Sequence, residues 1–295
     1  MLGSMVADSL SRNKGLNVSA TVRSQELGEK CRERLPGVNW VLFDADSPDA
    51  EKSLDLIRGN DWAINAIGIT KPLIHDDNAA EVERAVLINS LLPHQIARQA
   101  QKVGVRVIQI ATDCVFSGNK GNYVETDAHD ALDAYGKTKS LGEVHNTQVH
   151  HLRCSIIGPE PKEHKFLLDW FVRQAKNASV NGYTNHRWNG VTTLHFGKVC
   201  EGIITHDISL PHLQHVVPGG EVTKYEMLQE FARSFHREDV MIKPAQAAVV
   251  IDRTLKTANS QVNNSLWAAA GYSQPPTVPQ MISEMAAFDF KLGGL

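Results

Sequence analysis

Alternation is what most constrains the fold of this chain. The runs "LNVSATV" (16–22), "VNWVLFDAD" (38–46), "DWAINAIGIT" (61–70) and "VRVIQIATD" (105–113) are short, apolar and bounded by turn residues, so each reads as a strand. Between them lie "QELGEKCRERL", "DAEKSLDLIRG" and a long helical stretch from about Asn78 to Val103, which carry helical spacing. A polar loop, the helix "AYGKTKSLGEV" and the strand "HHLRCSIIG" continue the rhythm. Strands that alternate with helices over half a chain imply a parallel sheet covered on both faces, an α/β fold.

Beyond Gly158-Pro159 the rhythm loosens. "KFLLDWFVRQAKN" and "TTLHFGKVCEGIITH" read as amphipathic helices, "LQHVVPG" as one more strand, and the remainder as irregular, with a Pro-rich stretch at "QPPTVPQ". The expected division is a nucleotide-binding lobe over residues 1–157. Residues 158–295 would form mainly a smaller α+β substrate lobe, with some segments returning to the first.

The opening, "MLGSMVADSL", places Leu2, Val6, Ala7 and Leu10 on one side of a helix, with Gly3 at its start. In a Rossmann-like doubly wound sheet the first strand is central, and a glycine-rich turn joins it to the first helix. Gly3 stands where the last glycine of that turn belongs. The expectation is a sheet whose first strand is missing from this sequence. That strand and its turn would need about 10–15 upstream residues. Without that strand its two neighbours would be left with unpaired backbone groups; the other reading is a fold that opens on a helix and never had the strand.

Composition excludes several classes. With 295 residues, 42% hydrophobic and a net charge of −3, the chain has room for a large core and no basic field for nucleic acid or an anionic membrane. It has no apolar run long enough for a membrane span. Cys31, Cys114, Cys154 and Cys200 are far apart and form no CxxC pair, which suits reduced thiols in the cytoplasm. The histidines lack metal-ligand spacing, so no metal is expected.

Three features carry chemistry. Tyr135 and Lys139 are four apart on a helix, so their side chains share a face, and an ammonium beside a phenol favours the phenolate for proton transfer. Thr112-Asp113 ends a strand at the carboxyl edge where such sheets bind ligands. Ala66 and Gly68, in "AINAIG", are small enough for a ligand to approach the backbone closely.

In this order the motifs resemble the extended short-chain dehydrogenase/reductase superfamily. More closely, "ATDCVFSGNKGNYVETDAHDALDAYGKTKSLGE" is similar to the dTDP-4-dehydrorhamnose reductase family, with its Thr-Asp-x-Val-Phe run and Tyr-Gly-Lys-(Ser/Thr)-Lys helix. The resemblance implies NADPH-dependent reduction of a ketone on a nucleotide-linked deoxysugar for surface polysaccharide. Tyr135 would protonate the carbonyl oxygen, Lys139 would lower the tyrosine's pKa and hold the nicotinamide ribose, and Thr112 would polarise the carbonyl. Asp44 and the Ala45 backbone would meet the adenine. Ala66, Ile67 and Gly68 would line the middle of the cofactor, and Asn89 matches a family asparagine. A nucleotide-sugar partner and room for a homodimer follow from the same resemblance.

Charge decides the coenzyme. The residue that ends the second strand of such a fold meets either ribose hydroxyls or a 2′-phosphate. Here it is Arg23, followed by Ser24, with no acid in "TVRS". A guanidinium suits a phosphate, so NADPH is favoured, with NADH an admissible substitute. On the substrate side Asp113 and Cys114 follow the catalytic threonine. Trp188 and Asn189 are candidate pocket residues, and Arg253 is a candidate for the diphosphate. The sequence departs from the family where "RCSIIG" replaces an Arg-Thr-Ser-Trp stretch. Cys114 also stands where nucleotide-sugar dehydratases carry an acid, which weighs against a dehydratase or epimerase. A non-catalytic regulatory subunit of the same family is the other alternative, and the intact Thr112, Tyr135 and Lys139 weigh against it.

Overall fold

The apolar runs of the first half become parallel strands. The computed structural model describes residues 1–161 and 164–293. Helix α1 (Leu2–Ser11) is followed by β1 (Ser19–Val22), α2 (Gln25–Arg34), β2 (Asn39–Leu42), α3 (Ala50–Ser53) and β3 (Trp62–Asn65). Next come α4 (Ala79–Ala85), a π-helical turn at Val86–Leu91, α5 (Leu92–Val103), β4 (Arg106–Ala111), α6 (Ala134–Leu141) and β5 (Val149–Arg153). The second half contains β6 (Ile156–Ile157), α7 (Leu167–Val172), β7 (Ser179–Tyr183), β8 (Arg187–Trp188), β9 (Val191–Thr192) and α8 (Thr193–Thr205). It ends with β10 (Leu213–His215), β11 (Val222–Thr223), α9 (Lys224–Ser234), β12 (Met241–Ala245), α10 (Ser260–Ala269) and α11 (Val278–Ala287).

The main sheet has the order β10-β5-β4-β3, all parallel. β1 and β2 form a separate parallel pair, and β1 and β3 do not pair with each other. Successive residues of β4 feed opposite faces, as a strand's period of two requires. Ile108 belongs to the cluster that holds Leu2, Met5 and Val6 of α1 and Leu194 and Val199 of α8. Val107 belongs to the cluster that holds Leu92, Ile96 and Ala100 of α5.

The structure departs from expectation in three ways. Helix α1 is buried on more than one side, from Met5 through Leu10, because α8 lies along it. Helix α7 ends at Val172, with the apolar residues and short of the polar end of the stretch that suggested it. Among the described residues, the stretch after residue 219, expected to be irregular, holds three helices. Thr223 and Glu226 form a reciprocal capping box that starts α9, satisfying two otherwise orphaned donors. Thr277 caps α11, and Pro279 sits in its first turn, where a missing N–H costs nothing. Among the described residues, no helix is long and apolar enough to cross a membrane.

Candidate active site

Strand β4 ends beside the start of α6, and this junction assembles the three proposed catalytic side chains. Thr112 Oγ1 accepts the Cys114 N–H at 3.2 Å and donates to Asp113 Oδ1 at 3.2 Å. Asp133 caps α6, accepting the Gly136 N–H at 2.7 Å, and is itself paired with Lys71 at 2.6 Å. Tyr135 therefore lies in the first turn and Lys139 one turn later. The far end of α6 is pinned by Gly142, where a Cβ would stand 2.0 Å from the Asn89 carbonyl oxygen. Only glycine allows that approach. Lys139 Nζ donates to the Ile110 carbonyl at 3.3 Å.

Burial dominates the electrostatics. The Tyr135 phenol is pushed above its ordinary range, chiefly by burial and then by Cys114, while a hydrogen bond with Thr112 pulls the other way. The sequence expectation from Lys139 runs in the opposite direction; here burial, Cys114, Asp113 and Asp133 together outweigh the Thr112 hydrogen bond. Lys139 is pushed down to about 8 by burial, which the Glu143 carboxylate offsets in part. Asp113 is pushed up by burial against the pull of Arg253, Thr112 and Lys224. The Cys114 thiol is pushed up to about 12 by burial and by Asp113, which makes it a poor nucleophile.

The cofactor-side residues fall into two groups. Gly3 opens α1 against Ala66, whose Cβ would lie 3.6 Å from a Cβ at position 3. The Ile67 N–H is held by Asn65 Oδ1 at 3.1 Å. A Cβ on Gly68 would lie 3.3 Å from Asn89 Oδ1 and 3.9 Å from Lys139 Nζ. So Gly3, Ala66, Ile67, Gly68 and Lys139 form one path. Asn89 borders it, but its amide is engaged elsewhere: Oδ1 accepts from Ile69 N–H at 2.8 Å, and Nδ2 donates to Ile69 O and Thr138 Oγ1 at 3.0 and 3.3 Å. It acts here as a clamp on the loop. The π-helical turn that carries it, a feature common at functional sites, is not readable from helical periodicity.

The second group lies at the ends of β1 and β2. Arg23 is exposed, and Ser24 caps α2, accepting the Leu27 N–H at 3.3 Å. Asp44 is also exposed, with Oδ1 accepting from Asp46 N–H at 3.1 Å, while Ala45, like Ile67, packs against the cluster that holds Phe43, Leu54 and Leu92. Sequence reasoning missed Arg84, which grips Asp46 through two 2.7 Å bonds. That bond and the charge of Arg23 hold the Asp46 carboxyl below its usual range. Thus the Arg23 corner does contain an acid, contributed from β2's loop, but a neutralised one.

On the substrate side, Trp188 is buried with its indole N–H on Ser155 Oγ at 2.8 Å. Asn189 is buried too, and its amide is spent on the Leu255 backbone, donating to O at 2.6 Å and accepting from N–H at 2.9 Å. It therefore supports the pocket wall. Arg253 Nε donates to Phe116 O at 2.7 Å, and its charge acts on Asp113. Lys224, which sequence reasoning missed, stands 5.5 Å over the Trp188 ring. The capping box Thr223-x-x-Glu226 was the available signal.

Comparison with known proteins accords with this geometry. The family model described as the RmlD substrate binding domain matches residues 1–288. The chain belongs to this family. It is similar to dTDP-4-dehydrorhamnose reductase of Salmonella typhimurium, 41% identical over 158 residues, 51% of this chain and 53% of that protein. Methionine adenosyltransferase 2 subunit beta of Xenopus tropicalis is 25% identical over 177 residues, 56% of this chain and 52% of that protein. The chain spans about half the length of these curated relatives. Among solved structures, Bacillus anthracis dTDP-4-dehydrorhamnose reductase in complex with NADP superposes with a TM-score of 0.68 at 18% identity, covering 91% of this chain and 97% of that one. This likeness shows that the family member described here has the Rossmann-like α/β fold.

Proposed function

We propose that this chain is a cytoplasmic NADPH-dependent reductase acting on the ketone of a nucleotide-linked deoxysugar, as in dTDP-4-dehydrorhamnose reductases, with NADH as a weaker substitute. The observation that carries the reading is the convergence of Thr112, Tyr135 and Lys139 beside the small-residue path at Gly68. The residues present fit a dinucleotide. A side chain at position 68 would crowd the Lys139 ammonium, whose bond to the Ile110 carbonyl leaves two N–H groups for ribose hydroxyls. The start of α1, without a side-chain cap, offers amides to phosphate, and Arg23 suits a 2′-phosphate.

When bound, NADPH supplies a hydride. Tyr135, neutral through burial, donates the proton to the carbonyl oxygen. Thr112 hydrogen-bonds that oxygen as charge develops on it, and Lys139 holds the ribose and stabilises the tyrosinate left behind. Residues 1–157 would hold the dinucleotide, and residues 158–295 would mainly hold the sugar nucleotide. The exposed Leu87, Leu91 and Leu141 suit pairing of two copies. The test is NADPH oxidation with a panel of dTDP-4-keto sugars. NADPH binding without turnover of any member would favour a non-catalytic regulatory subunit.

A further inference from the structure

We propose that Lys224 is a specificity-determining residue whose ammonium, held over Trp188 and beside Asp113, receives an anionic oxygen group of the sugar nucleotide. The inference rests on the reductase reading above and deepens it. Lys224 is placed firmly. It is the first residue of α9, its N–H donates to His186 O at 2.8 Å, and the capping box fixes the turn. The antiparallel pairing of β11 with β8 sets Val222 opposite Trp188, so the lysine stem rises beside the indole, itself locked by Ser155.

Its ammonium is not matched by the protein. Among the described residues, no acceptor lies within hydrogen-bonding distance of Nζ, although the residue is half-buried. The charge that faces it is Asp113. Arg253 acts on the same carboxylate from another segment, so two cations oppose one acid, and burial biases that acid toward its neutral form. The other acids near Arg253 make their hydrogen bonds elsewhere: Asp130 accepts two 2.6 Å bonds from Ser117, Asp133 is paired with Lys71, and Asp252 accepts from Thr254. Lys224 is thus left without a hydrogen-bonded carboxylate of its own among the described residues. A partly desolvated ammonium without hydrogen bonds is costly, and an anionic ligand oxygen would supply the missing acceptor. In a nucleotide sugar that oxygen belongs to the diphosphate or to a carboxylate on the sugar.

Calorimetric titration of the NADPH complex with dTDP, dTDP-glucose and dTDP-glucuronate distinguishes these sources. Lys224→Met is expected to weaken dTDP roughly tenfold or more, the loss of one charge-assisted hydrogen bond, with Lys224→Arg restoring most of it and NADPH affinity unchanged. A loss confined to dTDP-glucuronate assigns the anion to the sugar carboxylate and equally supports the proposal. Equal affinities of wild type and Lys224→Met for all three probes overturn it. If the wild type binds none of the probes, the reductase reading fails, and the inference with it. Should Lys224→Met lose NADPH binding as well, Lys224→Gln replaces it and is read against the same outcomes.

Discussion

Gly68 lies against the Lys139 ammonium: a Cβ at position 68 would stand 3.9 Å from Nζ and 3.3 Å from Asn89 Oδ1. Its backbone does not require glycine, since its φ is not in the left-handed region. The missing side chain is therefore what the residue contributes, and even a Cβ would press on Asn89 Oδ1. Gly68→Ala should fold, with a melting temperature only slightly below that of the wild type, and raise the NADPH dissociation constant. An unchanged dissociation constant would remove the cofactor from this path.

Tyr135→Phe tests the proton donor. The hydroxyl is the only group removed, and the loss of a positioned general acid costs about 10²–10⁴-fold in rate. NADPH binding should persist, because Lys139 and Gly68 are untouched. Turnover close to wild type would place the donor elsewhere.

Lys139 couples function to pH with opposite signs for binding and stability. Its folded-state pKa is about 8, against an ordinary 10.5. Between these values the unfolded chain holds the extra proton, so stability from this group rises with pH, and the cost of burying the charge is complete below about pH 8. NADPH affinity should fall over the same interval as the ammonium is lost. Lys139→Met removes the buried charge, so it should melt no lower than the wild type at pH 7, while turnover falls by about 10²-fold or more. A variant that melts much lower would show that the lysine supports the fold.

Much of this was legible in the sequence. β3, β4 and β5 are apolar runs between turn residues, and Tyr135 and Lys139 share a helix face by spacing alone. The misses are of a different kind. Whether Tyr135 titrates up or down depends on burial, which only tertiary packing sets. The amides of Asn89 and Asn189 could serve a ligand or a backbone, and nothing local decides which. Lys224 looks like any helix-starting lysine until β8 brings Trp188 beneath it.

Arg23 governs coenzyme choice in this reading. It is exposed and, among the described residues, forms no ion pair, whereas Arg84 is tied to Asp46. Arg23→Asp should lower NADPH efficiency and narrow or reverse the preference over NADH, since a carboxylate repels the 2′-phosphate and accepts from ribose hydroxyls. Comparing kcat/KM for both coenzymes checks it. Equal values in the wild type would leave Arg23 without this role.

Asn189 should behave as a structural residue despite its place beside Trp188. Its buried amide gives one bond to Leu255 O and takes one from Leu255 N–H, at 2.6 and 2.9 Å, and both backbone groups belong to a residue only 2% exposed. Truncation leaves a buried donor and a buried acceptor unpaired, each costing about 1–3 kcal/mol unless water enters. Asn189→Ala should therefore lower the melting temperature by several degrees, on the order of 2–4 °C per kcal/mol for a large domain. Because Leu255 follows Arg253 by two residues, KM for the sugar nucleotide should rise modestly as that wall loosens, with kcat little changed. If Asn189 instead binds the sugar directly, KM rises sharply while the melting temperature stays where it was.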